Sequence, residues 1–499
     1  MPSPVRASVF ASSRKGNQRG FGSILEHDHA TFHLNKTYPH VNGDVSYYWI
    51  CSFHACPARA TTKLINDVHE VKNYTGTESH SHATNQVQVL VKRAKVDIRA
   101  AAQTSSDSTA VIVDRVRAAI PIPVQALLPP KDSLTRTARR VRKAAQNLPQ
   151  EPTSMATLFI PDDQKLTKSR SAIGDVDIDS NFVVIDTGVE NGNNRILGFS
   201  TDVCLKFLKD SKHWMLDGTF SITPNLFYQV LVIHAHYDGA DSRHSLPCVY
   251  LLLPGKSQAL YTVAFNALKA LIGTAPETAM VDFEKGLHNA LSDVFPGIDI
   301  SGCFFHLSQS IKSKIGDLHL TTAIREDVLF TQFVAMLRAL AFVPPEDIVT
   351  AFELLLAEVK DKAPILEPLF EYFETYYIGT MSRNHRRRQP LFNILLWNVH
   401  NRTMAGHPRT NNNVEGAHNR LKKFLNQSHP PFFTFLDKLR DFLRCVEADI
   451  ADLEAGKSVG RTLKAWATLE NQKKKLLLKY NSAHIYSFLT NVAHCLVNL

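Results

Sequence analysis

Two sets of side chains have the types and spacing to do chemistry. Asp217 closes an apolar stretch in His213-Trp-Met-Leu-Asp-Gly-Thr-Phe220, and Asp282 closes another in Thr278-Ala-Met-Val-Asp-Phe-Glu-Lys-Gly286. Glu415 sits in Thr410-Asn-Asn-Asn-Val-Glu-Gly-Ala-His-Asn-Arg-Leu-Lys-Lys423, which reads as the start of a basic helix. A carboxylate at the end of a buried strand is costly unless it pairs or holds a metal. Two of them, 65 residues apart, with a third on a helix, suit two divalent ions about 3.5–4 Å apart that act on a phosphodiester. Asp is short and suits a rigid strand, whereas Glu reaches further from a helix laid across the sheet. Taken singly, Asp217-Gly218 also reads as a turn, Asp282 as a plain strand end, and Glu415 as an acid favoured by the helix dipole. Only the set, in this order, points to a metal site.

The second set lies near the start. Four residues separate Cys51 from Cys56, and one separates His80 from His82. Two thiolates and two imidazoles suit tetrahedral zinc. A small segment with few apolar residues would draw most of its stability from the metal. His54 and His69 are alternative donors. Cys303 and His306 form a weaker pair. Their spacing offers half of a zinc site, or else a buried thiol on a strand followed by the first turn of a helix.

The elements that must position these groups follow from the pattern. Residues 1–20, rich in Ser, Arg and Gly, read as a disordered tail. Residues 21–85 are a small Cys/His-bearing domain. Residues 86–160 read as a linker carrying a basic helix from Leu134 to about Asn147, capped by Asp132-Ser133 and stopped by Pro149. From 161 to 310, strands and helices alternate in a mixed α/β order. A hairpin is expected over 182–199 and strands over 214–220, 228–236, 246–253, 279–282 and 300–305. Helices are expected over 201–209, 257–272 and 286–295. Residues 311–400 read as an almost wholly helical insertion. The Glu415 helix occupies part of 401–430, and further helices fill 431–499, chiefly over 432–453 and 461–478.

These blocks resemble the Mutator-like element (MULE) transposase domain of the RNase H-like superfamily. The resemblance spans about 175–430 and rests on five separated stretches in order. They are Trp214–Phe220, Pro224–His234, Val281–Gly286, Gly302–His306, and Trp397-Asn398 together with Thr410–Asn419. It implies an RNase H-like mixed sheet interrupted by an all-α insertion. It also implies Asp217, Asp282 and Glu415 as a catalytic triad holding two Mg²⁺ or Mn²⁺ ions, with the Cys303-x-x-His306 motif beside the active site. The N-terminal segment is similar to the FLYWCH zinc finger through Phe32, Leu34, Tyr48, Trp49, Cys51 and His80. Together the resemblances imply a DNA transposase that binds transposon ends, cleaves them and joins them to target DNA as a homodimer or larger assembly. The alternatives are a domesticated nuclear DNA-binding regulator without catalysis, and a structure-specific nuclease.

Bulk properties agree with a nucleic-acid partner. The 499 residues carry a net charge of +9 and are 44% hydrophobic, so the chain can bury cores and attract an anionic partner. No apolar run approaches the roughly 18 residues that a membrane helix needs, and residues 1–20 contain no secretory signal. Seven cysteines in a chain this long do not make a disulfide framework, and a reducing compartment fits better. Arg136, Arg139, Arg140, Arg142 and Lys143 crowd one helix and are expected on DNA phosphates, as are Lys422 and Lys423, with Lys312 and Lys314 along the groove. The run Arg383 to Arg388 suits nuclear import or a DNA contact. Trp214 and Trp397 read as core residues.

Overall fold

The computed structural model describes residues 6–11, 23–41, 43–66, 68–83, 85–105, 107–145, 148–170, 177–239, 242–410, 412–457 and 464–496. The chain divides into two compact units, Met1–Pro149 and Gln150–Leu499.

The first unit opens with a closed barrel of six antiparallel strands: β1 (Arg6–Ala11), β2 (Ser23–His27), β3 (Ala30–Pro39), β4 (Val45–Cys51), β5 (Arg59–Ile65) and β6 (Val68–Tyr74). Residues 6–11, expected within a disordered tail, form β1 and close the barrel by pairing with β2 and β6. Closure removes both sheet edges, and that gain is not visible in the local composition. The rest of the expected tail lies outside the described residues. Leu25, Phe32, Trp49 and Ala60 fill the barrel, and the buried Trp49 indole donates to Thr62 Oγ1 at 2.8 Å.

Residues 86–149 are not a linker. They hold four helices, α1 (Gln86–Thr104), α2 (Thr109–Ala118), α3 (Ile122–Ala126) and α4 (Lys131–Ala145). A core of Ile98, Ala102, Val113, Leu134 and Ala138 joins α1, α2 and α4. On α1 two of the four buried residues are alanine, Ala94 and Ala102, which weakens the apolar periodicity that marks a helix. Asn85 caps α1 by accepting from the Val87 and Gln88 N–H groups. Residues 146–147, the expected end of the basic helix, lie outside the described residues.

The second unit is built on a seven-stranded sheet: β9 (Val183–Asp186), β10 (Leu197–Phe199), β11 (His213–Thr219), β12 (Gln229–Gly239), β13 (Ser242–Leu253), β14 (Thr278–Val281) and β15 (Asp299–Gly302). A separate pair, β7 (Leu166–Arg170) and β8 (Asp177–Asn181), precedes it. Across the sheet the order is β15-β14-β11-β12-β13-β10-β9. The hairpins β11–β12 and β12–β13 are antiparallel, whereas β14 and β15 run parallel to β11. The hairpin expected over 182–199 forms, and Arg195 closes it by donating to both Asp186 carboxylate oxygens at 2.8 and 2.6 Å. β15 stops short of the expected 305, because Cys303 becomes the N-cap of the helix Phe304–Asp317.

The insertion is helical, with its core on Phe333, Leu337, Phe352, Leu355, Phe370 and Phe373. Trp397 is fully buried there and donates to the Tyr377 carbonyl at 3.1 Å. The C-terminal helices are not one block. Phe432–Glu454 lies against β13 and the helix Asp202–Asp210. The later helices place Leu477, Ile485, Phe488, Leu489 and Val492 in the insertion core. Among the described residues, no helix is long and apolar enough to cross a membrane.

Candidate active site

β11 is the central strand. Trp214, Met215 and Leu216 are buried, and Asp217 follows with only 8% of its surface exposed. Side chains alternate along a strand, so Asp217 shares a face with Met215 and His213. The first three residues of β11 each pair with the residue 65 positions on in β14: His213 with Thr278, Trp214 with Ala279, Met215 with Met280. Asp282, the first residue beyond β14, continues that offset and falls alongside Asp217.

Glu415 arrives on the helix Asn412–Leu425. Its neighbour Val414 is fully buried against Met215, Met280 and Cys303. This apolar plug seats the helix over β11 and β14, directly below the two aspartates on the same face. Cys303 therefore acts here as a packing residue. The helix Phe304–Asp317 brings His306 to the same place.

The electrostatics show a crowded acidic site. Burial pushes Asp217 up to about 7, helped by the charges of Asp282 and Glu415 and opposed by the Gly218 N–H and Lys256. Burial also raises Asp282, with Glu284 adding to the rise, while His306, Lys256 and His288 oppose it. Asp282 Oδ1 and His306 Nδ1 are buried with no hydrogen-bond partner among the described residues. Burial lowers His306, although Asp282 and Glu415 both favour its charged form. The oxygens of the three acids do not all close to within 4.8 Å of one another, unlike the Cys/His group below. Like charges repel at such range.

The residues around the acids were not foreseen from sequence. His418 Nδ1 lies 3.4 Å from Asp217 Oδ2, and burial brings the imidazole down to about 4, so it is neutral at pH 7. Its position three residues after Glu415, on one helix face, was the available signal. Lys256 pairs with Glu284 at 3.1 Å, and Glu284 also accepts from the Tyr261 hydroxyl at 2.6 Å. An apolar cavity of about 490 Å³ runs beside Glu415, past Phe305 and Ile311 to Lys312 and Arg338.

In the first unit the structure brings Cys51, Cys56, His80 and His82 together, one ligand atom from each lying within 4.8 Å of the others. Cys51 Sγ is 3.1 Å from His82 Nε2, and Cys56 Sγ is 3.3 Å from His80 Nδ1. Such a group could bind zinc. Each imidazole is oriented through its other nitrogen: His82 Nδ1 lies 3.0 Å from the Ala83 carbonyl, and His80 Nε2 lies 3.2 Å from the Tyr74 hydroxyl. Second partners of this kind fix the tautomer of a ligating histidine. Although burial works against it, the Ala58 and Ser81 N–H groups bring the Cys56 thiol down to about 6. His54 is not in the group. His69 packs against Tyr47 and Trp49, with Nδ1 2.8 Å from Thr62 Oγ1.

Among the expected DNA contacts, Arg136, Arg139 and Arg140 are exposed on α4, and Lys422 and Lys423 are exposed on the Glu415 helix. Arg142 is different. Its guanidinium donates to the carbonyls of Ala102, Ser105 and Asp107, tying α4 to the end of α1. That removes it from the set facing solvent. The side chain of Lys143 lies outside the described residues. Arg387, from the expected import run, is ion-paired with Glu353 and Glu374.

No curated protein matches the chain. Residues 213–310 match the family model of the MULE transposase domain, a stretch that contains Asp217, Asp282, Cys303 and His306 and ends before Glu415, and the match supports a MULE family for this core.

Proposed function

We propose that this chain is a metal-dependent DNA transposase of the Mutator-like type. The observation that carries the reading is the alignment of Asp217 and Asp282 on adjacent parallel strands, with Glu415 delivered to the same face by the Val414 plug. The sheet order supports an RNase H-like core: three antiparallel strands, then two strands parallel to the first.

Buried, mutually repelling carboxylates with an orphaned oxygen fit a divalent cation, because a cation would relieve both the repulsion and the unmet oxygen. Two Mg²⁺ or Mn²⁺ ions would activate the attacking oxygen and stabilise the leaving one. Asp217 and Asp282 supply rigid oxygens from strand ends, and Glu415 completes the set from its helix. His418 holds the Asp217 carboxylate, while the Met215–Met280–Val414 plug keeps water from beneath the site. A zinc-bound barrel and the exposed arginines of α4 would grip the phosphates of transposon ends. The substrate is double-stranded DNA, ends and target alike, handled by two or more copies of the chain in the nucleus.

The test is cleavage and joining of end DNA with Mg²⁺. Asp217→Asn, Asp282→Asn and Glu415→Gln should each abolish the reaction while DNA binding persists. Retained cleavage in any one removes that residue from the triad. Binding without cleavage by the unaltered chain would favour the silent DNA-binding regulator.

A further inference from the structure

A second site lies on the same sheet face, below the apolar plug. His213, Thr278 and Asp299 begin β11, β14 and β15, two residues before Met215, Met280 and Ser301. They border a cavity of about 390 Å³ whose opposite wall comes from the segment 398–408. This volume lies within the range of small-ligand pockets, about 300–1,000 Å³. Four residues of strand rise separate His213 from Asp217, about 13 Å at 3.3 Å per residue, so the cavity is distinct from the acidic site.

Arg402, on the helix His400–Ala405, lines this cavity. Its Nη1 is buried with no hydrogen-bond partner among the described residues. Leaving a buried charged donor unmet is costly. Burial brings the guanidinium down to about 10, with Asp299 acting in the opposite sense, so it stays charged at neutral pH. Around it stand imidazoles: the His213 ring is 5.4 Å from that of His407 and 6.3 Å from that of His236. Asn401 adds an exposed amide at the mouth. Asp299 is the one opposing charge among the described lining residues. A buried guanidinium in a cavity also lined by imidazoles and an amide, groups able to donate N–H, matches a tetrahedral oxyanion, which accepts bidentate hydrogen bonds from arginine.

We propose that this cavity binds a phosphate group through Arg402, at a site separate from the acidic triad. The phosphate comes either from a free compound such as a mononucleotide or from a terminal phosphate on a DNA strand. The inference does not depend on the transposase reading.

The probe is inorganic phosphate, added to the full chain at an ionic strength matched with chloride. It should raise the melting temperature, with the shift growing as the logarithm of the phosphate concentration above the dissociation constant. Arg402→Lys should keep the shift in reduced form, and Arg402→Gln should weaken phosphate binding about tenfold or more. Should Arg402→Gln fail to fold, Ala405→Glu sets a carboxylate at the exposed rim and should abolish the shift in a folded protein. Asp217→Asn should leave it intact. AMP and a 5′-phosphorylated oligonucleotide, competed against phosphate, then separate the two sources, each supporting the site if Ala405→Glu blocks it. No shift in the unaltered chain beyond the chloride control, or a shift unchanged by both Arg402→Gln and Ala405→Glu, overturns the proposal.

Discussion

Asp282 stands beside Asp217 because β14 runs parallel to β11 at a constant offset of 65 residues, set by the pairs His213–Thr278, Trp214–Ala279 and Met215–Met280. Two acids side by side on neighbouring buried strands give the native protein an unusual proton affinity. Asp217 titrates near 7 in the folded state, against an ordinary value of 3.8. A raised carboxylate pKa means that the native state holds the proton more tightly than the unfolded chain. Stability should therefore fall as pH rises from about 4 to about 7. The ceiling is about 4 kcal/mol, at 1.36 kcal/mol per pKa unit. Urea unfolding across this range, without added divalent cations, should show the slope, and Asp217→Asn should flatten it.

His418 orients Asp217 without being one of the acids. Replacing it with Ala should lower cleavage about 10–100-fold, the usual cost of losing the partner of a metal ligand. It should also raise the Mg²⁺ concentration needed for half-maximal cleavage, with DNA affinity unchanged. His418→Asn keeps an N–H near Asp217 and should recover part of the loss. Full activity in His418→Ala would deny the contact any role.

The Cys/His group holds the final stretch of the barrel unit to β4. Stripping zinc with a chelator, or Cys51→Ser, should unfold the barrel, since structural zinc in small domains contributes on the order of 10 kcal/mol. Limited proteolysis should then cut within Met1–Pro149 first, while Gln150–Leu499 stays resistant. A barrel that melts normally without zinc would show that closure of the six strands suffices.

Arg136, Arg139 and Arg140 face solvent, whereas Arg142 bonds carbonyls inside its own helical bundle. Removing the first three should weaken DNA binding at every sequence, and should reduce the salt slope by about 0.9 for each phosphate no longer neutralised. Arg142→Ala should instead lower the melting temperature of the first unit and leave the salt slope nearly unchanged.

Much of the second unit was legible in the sequence. Its central strands are long apolar runs, and the acids close two of them. The offset that aligns Asp217 with Asp282 was not legible, because register between distant parallel strands is set by packing and not by local pattern. His418 escaped notice for a related reason: its meaning lies in a carboxylate two hundred residues earlier in the chain. In the first unit, β1 was hidden because its stability comes from closing a barrel. Of the helices there, α4 was expected and α1 to α3 were not; in α1, Ala94 and Ala102 take half of the buried positions and weaken the pattern.

The insertion core contains side chains from the helix Ile485–His494. During synthesis the Asp-bearing sheet can leave the ribosome and fold first, since β11 to β15 need nothing after Gly302 for their own pairing. The helical block between Asp282 and Glu415 must wait for that late helix. A chain interrupted before residue 485 would thus present the greasy inner faces of Phe333, Leu337 and Phe352 to chaperones and proteases, so that quality control would remove unfinished copies before they could reach DNA.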